Sequence, residues 1–360
     1  MKIPVLVTGV SGGGVGRQCI KALKLGKKSY KIIGTDISPL SLGLYAVDKA
    51  YLVPKVTEPN YIQTLLDICK KEKAKILIPG SEAELLVVSE KRAEFIKEGI
   101  LPLINNHQVI STCLDKRRTF QFLKKNGFKI PQTYVPKDQR DIKKGLKYPV
   151  VVKPYVGSGG SRGVFIAQNP KELKFFIEYL IKQDVSVIIQ EYIGSPEEEY
   201  TIGVLHSLKG QLLGSFALKR LVKGALSIKQ AVKDYHKDVT YTISTGISQG
   251  TADDYPEIRA FCEKVAAALG STGPLNIQCR KDGEDIYVFE INPRFSGTTS
   301  MRALCGYNEP ETLIRKHLLK EKIGQMSYKP GVILRDLENL YISFSKMQQL
   351  QDGQAGNKKS

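Results

Sequence analysis

A chain of 360 residues exceeds what one compact core organises, so two or three packed units are expected. Its 42% apolar and 25% charged residues exclude the disordered and fibrous classes, and no apolar run is long enough to span a bilayer. The net charge of +18 concentrates anions near the surface, among them nucleotides and acidic small molecules. The sequence argues against nucleic acid as a partner, because lysines such as those of residues 70–75 lie on an ordinary helix without interleaved aromatics or a recognisable binding module.

The first eight residues are a short β-like run with no basic leader and no cleavage site. Cys19, Cys69, Cys113, Cys262, Cys279 and Cys305 are scattered without a CxxC pair, the usage of reduced thiols in a cytoplasmic protein. From Ile3 to Ile104 short β-branched runs alternate with helical segments: strands over residues 3–7, 31–34 and 76–78, and a helix from Val15. That order predicts βαβ units and a parallel sheet. Residues 104–114 break the rhythm and lead into a helix over 116–125, which places a domain boundary near residue 106. Longer strands follow Pro131, over residues 149–153, 163–167, 185–190, 200–206, 211–218, 275–280 and 286–292, with helices over 170–182 and 256–269. This is an α+β order. Residues 348–360 are polar and rich in Gly, Lys and Ser, a composition that predicts a frayed tail.

Glycines 9, 12, 13, 14 and 16 follow the first strand, and Asp36 ends the next. An NAD-dependent oxidoreductase is therefore the main rival reading. The dinucleotide fingerprint needs glycines at fixed offsets so that backbone approaches a pyrophosphate. Counting from Gly9, the second glycine falls on Ser11; counting from Gly12, the last falls on Arg17. What survives is a Gly-rich turn whose backbone donors suit some anion or polar ligand.

The second half carries more chemistry. Lys153 ends an apolar strand, where a buried ammonium is costly without an anion and otherwise reaches solvent. A loop containing Gly159, Gly160 and Ser161 follows, able to close over phosphates. Glu191, Tyr192 and Ile193 run from a strand into a turn; the acidic run Glu197, Glu198 and Glu199 precedes the next strand and offers a carboxylate to ribose hydroxyls, with a solvated acidic turn the other reading of Glu197 and Glu198. Glu290 and Asn292 project from one face of the strand over 286–292, an oxygen pair suited to Mg²⁺ held jointly with phosphates, and Arg294 follows at its end. A tight turn at Asp282-Gly283 sets Gln278 opposite Tyr287 and away from Glu290; sharing the face requires an odd loop centred on Glu284 or a bulge.

In combination these residues resemble the ATP-grasp superfamily, particularly the carbamoyl-phosphate synthase large subunit and its stand-alone carboxylate-amine ligase relatives. The resemblance covers nearly the whole chain, from the Gly-rich first turn through Asp115-Lys116-Arg117 and the Lys153 strand to Gln278 and the Glu290-to-Arg294 set. It implies a Rossmann-like α/β pre-ATP-grasp domain with a parallel sheet (residues 1–106), followed by an α+β ATP-grasp fold of two subdomains. These are a small lid subdomain (107–192) and a large one (193–325), with a C-terminal extension and polar tail (326–360). It further implies an ADP-forming enzyme that phosphorylates a carboxylate with MgATP and couples the acylphosphate to an amine. Lys116 and Lys153 would contact phosphates, with the loop at Gly159, Gly160 and Ser161 as lid; Glu191 to Ile193 would seat adenine and Glu199 the ribose. Gln278, Glu290 and Asn292 would hold two Mg²⁺ ions, or Mn²⁺, with Arg294 on the transferred phosphoryl. One ATP-grasp unit stands where the synthase subunit has two, and residues 219–241 lack the His-Thr-Gly-Asp stretch of its bicarbonate-phosphorylating half, so carbamoyl-phosphate-type chemistry is the alternative. Glu82, just past the third strand, is placed either on a substrate ammonium or as a helix N-terminal acid; Arg220, Lys223 and, more distantly, Arg335 are placed on substrate anions. A homodimer is the family-level expectation.

Overall fold

The computed structural model describes residues 2–136, 141–143, 145–155, 163–224, 226–234 and 237–353. The first domain comprises β1 (Ile3–Val7), α1 (Val15–Lys24), β2 (Tyr30–Asp36), β3 (Lys49–Leu52), α2 (Tyr61–Glu72), β4 (Ile76–Ile78), α3 (Glu82–Glu90), α4 (Arg92–Lys97) and β5 (Leu101–Pro102). Its strands pair in parallel in the order β3-β2-β1-β4-β5. The strands are buried on both faces, as parallel sheets are, so their sequences run almost wholly apolar. Alternation along them divides the core: Leu6, Ile33 and Leu77 pack with Leu65 and Leu85, while Val5, Val7, Ile32, Ile76 and Ile78 pack with Ile20 and Leu23 of α1.

The glycines of the first turn have a packing role. A Cβ on Gly16 would lie 2.4 Å from the Thr8 carbonyl oxygen, and one on Gly80 would lie 2.0 Å from the same atom. Their absence lets α1 and the β4–α3 connection close on the end of β1. Asp36 accepts from the amides of Ile37 and Ser38, so its carboxylate is occupied in its own turn.

Helices α5 (His107–Leu114) and α6 (Lys116–Lys125) bridge to the second half. Asp115 ends the first and caps the second, accepting from the amides of Arg117 and Arg118. The lid subdomain is an antiparallel sheet in the order β6-β9-β7-β8, formed by β6 (Thr133–Tyr134), β7 (Val150–Pro154), β8 (Phe165–Ala167) and β9 (Val187–Glu191). Helix α7 (Pro170–Ile181), capped by Asn169 with proline at its first position, covers it. Val150, Val152, Leu173, Ile177 and Ile189 form a core of the lid's own.

The large subdomain contains β10 (Glu199–His206), β11 (Leu212–Arg220), β12 (Ile228–Asp234), β13 (Val239–Ser244), β14 (Gly250–Ala252), α8 (Pro256–Ala268), β15 (Pro274–Asp282), β16 (Asp285–Asn292), α9 (Thr299–Leu304), α10 (Glu309–His317), β17 (Gly331–Ile333) and α11 (Phe344–Gln351). Its antiparallel sheet runs β16-β15-β10-β11-β14-β17, and the β12-β13 hairpin stands apart, resting Tyr241 and Ile243 on Ile166 of the lid. One face of the large sheet (Tyr200, Ile202, Ile277, Val288, Ile291) packs on Ile258, Cys262 and Val265 of α8. The other face carries the polar residues described below.

Two features depart from the sequence reading. Residues 331–333, placed by sequence in an extension, form an edge strand of the large sheet with Ile333 buried. The frayed tail expected over 348–360 is corrected at its start: residues 344–351 are helical because Ser343 caps the helix and Leu350, 3% exposed, anchors it in the core. Residues 354–360 lie outside the described residues. All six cysteines are free and buried. Among the described residues no helix is long and apolar enough to cross a membrane.

Candidate active site

The register of β15 against β16 decides which side chains meet. The turn falls on Gly283-Glu284, one residue later than the tight turn considered from sequence, with Asp282 opposite Asp285. A bulge between Gln278 and Cys279 then gives Phe289 no partner, so Cys279 faces Val288 and Gln278 faces Glu290. The bulge is thus what sets Gln278 beside Glu290 and Asn276 beside Asn292. Alternation adds Arg280 to the same face of β15, and Thr201 and Glu199 of β10 lie opposite Gln278 and Arg280.

Three adjoining cavities meet on this face. The first, about 780 Å³ with its open mouth included, lies between lid and large sheet. Its walls combine apolar surface from Pro131, Val151, Val164, Ile243 and Phe289 with Lys116, Lys153, Glu191, Tyr192, Ile193, Glu199, Gln278, Arg280 and Glu290. A largely apolar slot with a few placed charges suits a flat ring ending in an anionic group. The second, smaller cavity is lined by Glu82, Lys116, Phe289, Glu290 and Asn292. The third is polar and lined by Glu82, Thr201, Arg220, Asn276, Gln278, Glu290, Asn292, Arg294, Ser296 and others. Glu290 borders all three.

Lys153 is 7% exposed. Its Nζ donates to Gln190 Oε1 at 2.8 Å and to the carbonyl of the bulged Phe289 at 3.3 Å, and lies 5.5 Å from the Phe120 ring centroid. Burial, helped by Lys116 and only partly opposed by Glu290, pushes it down to about 7. An ammonium this poorly compensated is a ready partner for phosphate oxygens. Lys116, at the first turn of α6, borders both the first and second cavities.

The remaining predicted residues fall into three groups. Glu191 and Tyr192 line the first cavity with their amides already paired, to the carbonyls of Gln132 (2.9 Å) and Pro149 (3.4 Å), while the Ile193 carbonyl accepts from Arg280 at 3.1 Å. Arg294 spans the third cavity: Nη2 donates to Glu82 Oε1 at 2.5 Å and to Asn292 Oδ1 at 3.3 Å. Burial pushes Glu82 up, but Arg294 and then Lys116 outweigh it and hold the carboxyl below its ordinary range. This ion pair joins the carboxyl ends of the first domain's strands to the end of β16.

Glu199 is more deeply engaged than the sequence suggests, and Lys223 lies away from the cavities. Glu199 is 1% exposed and its oxygens are filled: Oε1 accepts from Arg220 Nη1 (2.5 Å) and Ser244 Oγ (2.6 Å), Oε2 from Arg280 Nε (3.1 Å) and Nη2 (2.9 Å). Burial opposes its charge, yet the two arginines hold it below the ordinary range. With four donors on its oxygens, Glu199 anchors Arg280 and Arg220 in this structure while it lines the first cavity. Arg220 does border the third cavity, with its guanidinium committed to Glu199, Ser244 and the Thr245 carbonyl. Lys223 is exposed and lines none of the three cavities, because it lies beyond the end of β11. Arg335 is half-buried and donates to the Gly297 carbonyl at 2.6 Å, at the rim of the third cavity. Gly159, Gly160 and Ser161 lie outside the described residues.

Sequence reasoning missed Arg280, Asn276 and Thr201, and the wall supplied by Thr242, Ile243 and Ser244 of β13. Stepping by two from Gln278 would have found Asn276 and Arg280; no local pattern marks the β13 wall.

Glu290, Gln278 and Asn292 offer one carboxylate and two amide oxygens on one face. Among the described residues no group of three or more His, Cys, Asp or Glu could hold a metal by itself. A hard but weakly charged donor set of this kind fits Mg²⁺ that brings phosphate ligands of its own.

Comparisons with known proteins agree with this geometry. Residues 10–104 match the PylC-like N-terminal domain, and residues 113–298 the ATP-grasp domain. The carbamoyl phosphate synthase large chain of Clostridium botulinum is 24% identical over 321 residues, 87% of this chain and 28% of its own length; that of Pyrococcus furiosus is 24% identical over 307 residues, 81% of this chain and 27% of its own length. The chain thus spans about a quarter of the length of these curated relatives. Among solved structures, an ADP complex of N5-carboxyaminoimidazole ribonucleotide synthetase superposes with a TM-score of 0.64 at 16% identity, covering 91% of this chain and 80% of the other. An L-amino acid ligase from Bacillus licheniformis gives 0.62 at 17% identity, covering 88% and 74%. At these identities the superpositions speak for the fold alone, whereas the ATP-grasp match takes in more than half of the 360 residues. The chain belongs to the ATP-grasp family.

Proposed function

We propose that this protein is an ADP-forming carboxylate-amine ligase that uses ATP and Mg²⁺, the cofactors of its family. The observation that carries the reading is the position of Gln278 and Glu290, which line both the first and the third cavities. A nucleotide in the first cavity would thereby turn its terminal phosphate toward a substrate in the third.

In this reading the apolar walls take adenine beside Glu191, Tyr192 and Ile193, and Lys116 and Lys153 take the phosphates. Gln278, Glu290 and Asn292 hold the ions, whose charge offsets that of the triphosphate. A substrate carboxylate oxygen attacks the γ-phosphorus in line, the bond to the β-phosphate oxygen breaks, and ADP leaves. Arg294 would neutralise charge on the phosphoryl group in flight. An amine then attacks the acyl carbon, loses a proton, and expels inorganic phosphate. Glu82, paired with Arg294 and bordering the third cavity, is the carboxylate this reading gives to the substrate ammonium. Both substrates are small molecules in this account, and the homodimer expected from the family goes with it; one similar structure is a biotin carboxylase domain dimer.

The test is ADP and phosphate release with MgATP against a panel of small carboxylates and amino acids, with Glu290→Ala as control. Turnover stimulated by a particular pair and abolished in the control supports the ligase. MgATP binding without turnover across a broad panel favours a nucleotide-binding regulator, and no MgATP binding overturns the reading.

A further inference from the structure

The hydrogen bonds behind Lys153 form a chain whose direction can be derived. Gln190 is 3% exposed and sits across from Thr133 on β6 and two positions diagonally from Lys153 on β7. Lys153 Nζ meets Gln190 Oε1 at 2.8 Å, Gln190 Nε2 meets Thr133 Oγ1 at 3.0 Å, and Thr133 Oγ1 meets the Pro131 carbonyl at 2.7 Å. A carbonyl oxygen only accepts, so the Thr133 hydroxyl spends its single proton on Pro131. That hydroxyl oxygen must therefore accept from the Gln190 amide nitrogen. The Gln190 oxygen is left facing Lys153, which donates to it. Donor and acceptor chemistry alone thus fixes the orientation of the Gln190 amide.

Pro131 is also a wall of the first cavity. The chain consequently ties the wall where a ring would sit to the amine that would meet phosphates. Its other tether, the Phe289 carbonyl, comes from a different subdomain.

We propose that Gln190, oriented by Thr133, is a positioning residue that sets Lys153 at the phosphate end of the nucleotide cleft. This rests on the ligase reading only in taking the first cavity as the ATP site. Without the amide oxygen, Lys153 loses its nearest acceptor and the geometry that points its ammonium at the phosphates. Gln190 and Lys153 border the first cavity, but most of the apolar surface around the ring, Val151, Val164, Ile243 and Phe289, lies outside this chain, so adenosine should respond less than MgATP to its loss.

Calorimetric titration of the full chain with MgATP and with adenosine tests this, using Gln190→Leu, Thr133→Val and the double variant. Gln190→Leu is expected to weaken MgATP roughly 10-fold or more while leaving adenosine within about 2-fold, the loss appropriate to a hydrogen bond to a charged group. Thr133→Val should weaken MgATP by a smaller factor, and the double variant should be no worse than Gln190→Leu, because the two act in series. Unchanged MgATP affinity in Gln190→Leu, equal losses for MgATP and adenosine, or additive effects would each overturn the proposal. Should Gln190→Leu fail to fold, Thr133→Val carries the test alone, and unchanged affinity there is the contrary result. A wild-type chain that binds no MgATP would instead remove the ligase reading, a failure visible before any variant is made.

Discussion

At the scale of single residues, the buried charges divide into those a substrate would complete and those the protein completes itself. Arg302 belongs to the second kind: fully buried, it donates to Glu309 Oε1 at 2.9 Å and to Asn276 Oδ1 at 2.5 Å. Burial pushes Glu309 above its ordinary range despite Arg302, so the pair is costly to keep and costlier to break. Arg302→Ala should destabilise the chain by about 3–5 kcal/mol in denaturant unfolding, because it strands a buried carboxyl. The pair also dictates a glycine nearby, since a Cβ on Gly203 would lie 2.0 Å from Arg302 Nη1. His206 gives the clearest dependence on pH. It is 4% exposed, its Nδ1 finds no partner, and burial pushes it down to about 4. Above its ordinary value of 6.5 the ring is neutral in folded and unfolded chains alike, and the folded state pays nothing. Between 6.5 and 4 only the unfolded chain takes the proton, so stability falls as pH drops through that window. A thermal midpoint series over this range should decline in the wild type and decline less in His206→Gln.

At the scale of elements, the bulge in β16 is the device on which the site depends. Inserting one residue between Gln278 and Cys279 would give Phe289 a partner and remove the bulge, so that alternation from Val288 returns Glu290 and Asn292 to the face that packs on α8. The expected result is loss of MgATP binding together with lowered stability, measured by titration and thermal melting. The elements themselves were legible to different degrees. Val5, Val7, Ile76 and Ile78 announce a parallel sheet because both faces are buried, and Asn169-Pro170 announces a helix start. Glu290 and Asn292 could be read as neighbours from alternation along one strand. The pairing of Gln278 with Glu290 could be framed from sequence only as a choice between registers, because turn position and bulge depend on contacts across strands. The burial of Glu199 was hidden for a related reason: the arginines that enclose it come from β11 and β15, at residues 220 and 280. The short edge strand at 331–333 has too few residues to show a period at all.

At the scale of the whole molecule, one apolar cluster joins Val5, Ile32 and Ile78 of the first domain to Phe216, Tyr307, Leu313, Ile333 and Leu350 of the second half. The lid sheet keeps a separate core, and touches the rest through small contacts such as Ile166 with Tyr241 and Ile243. Hydrogen exchange should therefore report two cooperative units, with the amides of β7–β9 and α7 opening at lower free energy than those of β1, β10 and β15. Equal protection throughout would contradict that division. The same division assigns the moving parts of the machine. A shared core turns the first domain and the large sheet into a single anvil, with the Glu82–Arg294 pair set in its surface and unable to separate without unpacking that core. Any opening and closing of the cleft would fall to the lid, the hammer, which carries Lys153 with it. Each stroke would bring the lysine against the Phe289 carbonyl and withdraw it again, so entry of nucleotide and alignment of its phosphates become one motion.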